Sequence, residues 1–133
     1  MKIKTAFSVQ ETPEQGVGEI ARQLETFDSE VVLFFASSNH APQKVSTLMQ
    51  NAFPMSQVFG CSTAGEIVSG KMLQNSIVAM AFNGKAIKDV KLAVIENLKD
   101  TSAVKNALAS FETYYQEPVA EMDPTKYVGI ILV

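Results

Sequence analysis

The chain has 133 residues, 47% of them apolar and 19% charged, with no Trp, a composition that lets an ordinary globular domain bury a core without disulfide or metal. Eleven Lys and Arg against fourteen Asp and Glu give a net charge of -3, and no basic cluster interrupts that balance, which argues against nucleic acid or an anionic membrane surface as partner. A single cysteine, Cys61, excludes an internal disulfide framework and multi-Cys metal sites.

No apolar run approaches the roughly 18 residues of a membrane span, so no membrane insertion is expected. The start, Met1-Lys2-Ile3-Lys4-Thr5, lacks the apolar centre of a signal peptide, and a cytoplasmic location follows as the expectation.

In chain order, Ile3, Ala6 and Val9 alternate in part with polar neighbours and predict a half-buried or edge strand. Thr12-Pro13-Glu14-Gln15 reads as a helix start, with Thr12 as cap, Pro13 at the first helical position and Gln15 able to close a capping box. Val17, Ile20, Ala21, Leu24 and Phe27 then follow at helical spacing and give that helix one apolar face. Residues 31–36 form a continuous apolar run, the mark of a strand covered on both faces. Ser37 to His40 break it. A second helix over 42–53 follows, with Val45, Leu48, Met49, Ala52 and Phe53 on one side and Pro54 as its stop. A third strand is predicted over 57–61.

Two strand-helix-strand units in succession predict α/β architecture in which a parallel βαβαβ start opens a mixed sheet with helices packed on it. Residues 77–82 and 86–94 read as two strands around Asn83-Gly84 and predict a β-hairpin. Val104, Ala107, Leu108, Phe111 and Tyr115 mark a third helix, capped near Thr101 or Ser102, and Pro118 and Pro124 bracket an acidic loop. The chain closes on an apolar run, residues 127–133, which reads as a strand leading into further sequence. The expectation is one domain over 1–133 that forms the N-terminal part of a longer protein.

If the first three strands are parallel, the segments that follow them emerge at one edge of the sheet, where open parallel sheets bind ligands. The densest of these segments is Gly60, Cys61, Ser62, Thr63, Ala64, Gly65 and Glu66. Glycines permit positive backbone angles and close approach, so successive amides there are expected to form an anion-binding nest, with the Ser62 and Thr63 hydroxyls as further donors. Ser38, Asn39 and His40 line the neighbouring wall.

Residues 60–67, GCSTAGEI, resemble the signature of the N-terminal half of the FIST domain, and the preceding order of strand, helix and strand is similar to that family's. The resemblance implies a bacterial sensory module in signal transduction that binds a small ligand, with amino acids as the proposed class. It implies as partners a FIST C-terminal half and a signalling protein such as a histidine kinase, a chemoreceptor or a cyclic-dinucleotide enzyme. On the residues themselves, no catalytic residue, no metal and no obligatory cofactor is expected. Some members are linked to haem and nitric oxide, which makes a haem-based sensor the alternative, with His40, the only histidine, as the axial ligand.

An enzyme reading would join Cys61 as nucleophile to His40 as base, with Glu66 nearby, and needs hydrogen-bond contact between them. The commoner role of such a cysteine is that of a small residue at a strand end. Residues 65–71 have the spacing of a phosphate-binding G-x-x-x-x-G-K loop, but Met72 stands where Ser or Thr would hold magnesium and Ile67-Val68 reads as strand. Glu117, Glu121 and Asp123 crowd the Pro-bounded loop and are read as a solvated cluster.

Overall fold

The computed structural model describes residues 1–133, which form two compact units, Met1–Val90 with Leu132–Val133, and Lys91–Ile131. The first unit runs β1 (Ile3–Ser8), α1 (Pro13–Leu24), β2 (Val31–Ser37), α2 (Pro42–Ala52), β3 (Gln57–Thr63), β4 (Glu66–Val68), β5 (Lys71–Leu73) and β6 (Ile77–Phe82). Four of these strands make a mixed sheet in the order β1-β6-β2-β3, while β4 and β5 pair as a separate antiparallel hairpin.

β2 and β3 are parallel neighbours, and β6 lies antiparallel to both β1 and β2. β1, β2 and β3 therefore point the same way, as the sequence predicts, but β6 is inserted between the first two. That insertion removes the predicted hairpin. Both edges of β6 are occupied, by β1 and by β2, so residues 86–94 have no place beside it and form no strand. Asn83-Gly84 instead makes a local turn in which Asn83 Oδ1 accepts from the Lys85 amide at 3.1 Å and the Asn83 carbonyl accepts from Ala86 at 2.8 Å. The hairpin that does form is β4–β5, around Ser69 and Gly70, whose φ angles of 46° and 80° suit the tight turn such pairs require.

The helices pack on the sheet for the reason the spacing predicts. Val17, Ile20 and Leu24 of α1 and Val45 and Met49 of α2 are buried against alternate residues of the strands, Ala6, Val32, Phe34, Ala36, Ile77, Ala79 and Ala81. Thr12 caps α1 by accepting from the Gln15 amide, and Pro13 takes the first position. The Gln15 side chain meets the Thr12 hydroxyl at 3.1 Å. On β2 every residue except Phe35 is buried, consistent with a central strand covered on both faces.

In the second unit, α3 (Thr101–Tyr115) is capped by Asp100, one residue before the predicted caps, and ends on Gln116 in the left-handed region. A short 3-10 turn follows at Val119–Glu121. The Tyr115 and Tyr127 rings meet edge to face at 5.4 Å, and a hydrogen bond from the Tyr127 phenol to Glu117 raises the phenol's pKa above its ordinary value. Residues 127–133 are not a strand. The second unit, to which residues 127–131 belong, contains no strand with which they could pair, and an isolated strand has no ladder to hold it.

Candidate functional site

The shared direction of β1, β2 and β3 brings their carboxyl ends to one edge of the sheet, and the first residue of β6 lies at that edge as well. Three stretches of chain are tied together there. The Ser37 amide donates to the Ser76 carbonyl and the Ser38 amide to the Thr63 carbonyl, both at 2.9 Å, so the end of β2 is bonded on one side to the approach to β6 and on the other to the end of β3. Asn39 Nδ2 donates to Asn75 Oδ1 across the same gap.

Glu66 stands at the centre of this arrangement. It is 2% exposed, and each carboxylate oxygen accepts a hydroxyl: Thr63 Oγ1 donates to Oε1 at 2.5 Å and Ser76 Oγ to Oε2 at 2.5 Å. Acceptance at both oxygens is the pattern of an ionised carboxylate. Hydrogen bonds to a charged group contribute roughly 1.5–3 kcal/mol each, and taking a carboxylate out of water costs several kcal/mol. The two hydroxyls therefore do little more than offset the burial.

The predicted site residues divide into two groups. Thr63, Glu66, Ser38 and Asn39 belong to the bonded network, and Ala64 and Gly65 form the exposed bend between Thr63 and Glu66. Gly60, Cys61 and Ser62 lie within β3, which extends to Thr63 instead of stopping at residue 61. Gly60 and Gly65 do not have positive φ; Gly70 is the one glycine that does. No residue of the segment has the positive φ that the expected amide nest needs, and hydroxyls and a carboxylate occupy the edge.

His40 is 6% exposed, and its amide donates to the Ser37 carbonyl at 3.0 Å. Its Nε2 is buried without a hydrogen-bond partner. The nucleophile–base contact of the enzyme reading is therefore not made through Nε2, and the hydrogen bonds of Glu66 run to Thr63 and Ser76. The turn that carries His40 begins with the polar residues Ser37, Ser38 and Asn39. Two open surface depressions at the other end of the sheet share Phe27, Ala52 and Phe53, on the segments entering β2 and β3, and are bordered by Glu25. No three His, Cys, Asp or Glu side chains gather as metal ligands.

Sequence reasoning misses Ser76 and Asn75. Ser76 directly precedes an apolar run and could be linked to Glu66 only by knowing that β6 enters between β1 and β2. It also misses Ser8, the buried last residue of β1, whose hydroxyl donates to Glu19 Oε2 at 2.6 Å and accepts from the Gln10 amide.

A family model described as the FIST N domain matches residues 30–133, from the approach to β2 to the last residue. No curated protein matches the chain. No helix is long and apolar enough to cross a membrane.

Proposed function

The chain belongs to the FIST N-domain family, a family of sensory domains, and on that footing we propose that it is a non-enzymatic signalling module that binds a small ligand, an amino acid, at the carboxyl edge of β2 and β3. The observation that supports this reading is the convergence of Ser38–Asn39, Thr63–Glu66 and Asn75–Ser76 around one buried carboxylate, held by hydrogen bonds between segments distant in sequence. Open α/β sheets take ligands at this edge. A ligand seated there contacts three chain segments at once and so shifts their relative arrangement, provided it binds one arrangement better than the other. Such a shift is what a histidine kinase, a chemoreceptor or a cyclic-dinucleotide enzyme would read.

The test is native mass spectrometry of the protein with a pool of free amino acids, followed by thermal unfolding with any amino acid retained. A ligand at 100 times its Kd stabilises the folded state by roughly 2.7 kcal/mol. Ala64→Phe, placed on the exposed bend, weakens retention without unfolding the protein. Unchanged retention in Ala64→Phe would remove this edge from the site.

A further inference from the structure

Glu66 is the only carboxylate buried in the protein, and nothing positively charged is paired with it. Its two hydrogen-bond donors, Thr63 and Ser76, are neutral, and the ion pairs Lys44–Glu14 and Lys126–Asp123 lie elsewhere. Buried carboxylates ordinarily have a cationic partner. Each oxygen of Glu66 accepts one hydroxyl and retains capacity for a further donor.

A second unmet polar atom lies on the adjoining turn. His40 Nε2 is buried and unpartnered, and the turn that carries it is fastened through Ser37 and Ser38 to Ser76 and Thr63, the two residues that hold Glu66. Buried polar atoms without partners are rare in folded proteins, and each calls for an explanation. The anion buried in this cluster is matched only by neutral donors, and what it lacks is a group bringing N–H donors and positive charge; the ring nitrogen on the adjoining turn is a second polar atom left without a partner. Ala64, Gly65 and Asn75, the sequence neighbours of Glu66 and its donors, are exposed.

We infer that the ligand of this edge is bound through a cationic nitrogen, an ammonium group, with the Glu66 carboxylate as its counter-charge. The inference rests on the small-ligand reading above and specifies which end of the ligand is recognised. A carboxylate or phosphate in the same place would put like charge beside Glu66, at a strand end whose glycines supply no amide nest.

The experiment compares two probe pools on the intact protein by native mass spectrometry: L-amino acids and the matched L-2-hydroxy acids, which replace the ammonium by a hydroxyl of similar size. The wild-type protein is expected to retain amino acids and to retain the corresponding hydroxy acids roughly tenfold less or weaker still, the scale of a lost charge-assisted hydrogen bond. Equal retention of both pools would overturn the inference and leave the small-ligand reading standing. Retention of neither would remove both. Glu66→Gln, verified as folded by circular dichroism, is expected to lose the preference; a folded variant that keeps it would overturn the role given to Glu66. The wild-type comparison does not depend on that variant folding.

Discussion

The carbonyl oxygen of Phe34 lies 2.0 Å from where a Cβ on Gly60 would stand. The two residues are register partners in the parallel pair β2–β3, and the Phe34 ring approaches the same point, its Cγ at 2.8 Å. The glycine is therefore needed for strand packing, since the obstruction is backbone and cannot rotate away. Gly60→Ala should push β3 off β2 and cost about 3 kcal/mol or more, at the upper end of overpacking effects, measured as a lower urea midpoint. A loss below about 1 kcal/mol would mean that this strand pair adjusts freely.

The two hydroxyls on Glu66 differ in burial, with Ser76 1% exposed and Thr63 half-buried. Removing either leaves a carboxylate oxygen without its donor. Ser76→Ala is expected to destabilise by roughly 2–3 kcal/mol, and Thr63→Val by less because water can replace the missing hydroxyl. In a Glu66→Gln background the cost of Ser76→Ala should shrink, and a double-mutant cycle by urea unfolding reads the coupling. Additive effects would show that the hydroxyl does not serve the carboxylate.

The β4–β5 turn offers two substitutions of opposite sign. Gly70 has φ 80° with open space around it, so Gly70→Ala loses stability through backbone strain alone, by about 1 kcal/mol. Ser69, at φ 46°, already bears such strain, and Ser69→Asn should be neutral or slightly stabilising because Asn tolerates the left-handed region. Paired thermal melts decide this, and a stabilising Gly70→Ala would contradict the turn geometry.

Asp100 caps α3 by accepting from the Ser102 hydroxyl at 2.6 Å and the Ser102 amide at 2.9 Å, and these bonds hold its pKa below the usual aspartate range. A group with a depressed folded-state pKa stabilises fully above its unfolded value, near 3.9, and loses that contribution as pH falls through the lower folded value. The first turn of α3 should therefore fray below about pH 4, seen as movement of the Ser102 amide resonance. Asp100→Asn keeps an acceptor but not the titration, so its Ser102 resonance should stay fixed over the same range.

Elements whose signals lie within a few residues were legible in the sequence. The Thr12-Pro13 start of α1, its Val17, Ile20 and Leu24 face, the buried run of β2 and the Pro54 stop after α2 each depend on local spacing and local backbone chemistry. The shared direction of the first three strands followed from the helices between them, and with it the edge on which Ser38, Asn39, Thr63 and Glu66 gather. The GCSTAGEI segment carried the family.

What only the tertiary structure decided is the company each strand keeps. Residues 77–82 have the same apolar pattern whether they pair with residues 86–94 or slot between β1 and β2, and Asn83-Gly84 is a turn either way. The long-range choice wins because a position between two strands satisfies both backbone edges of β6 and buries Ile77, Ala79 and Ala81 under the helices. A two-stranded hairpin would have left one edge open. That same choice delivers Ser76 to Glu66, ten residues away in sequence, and so completes a network that no local pattern announces.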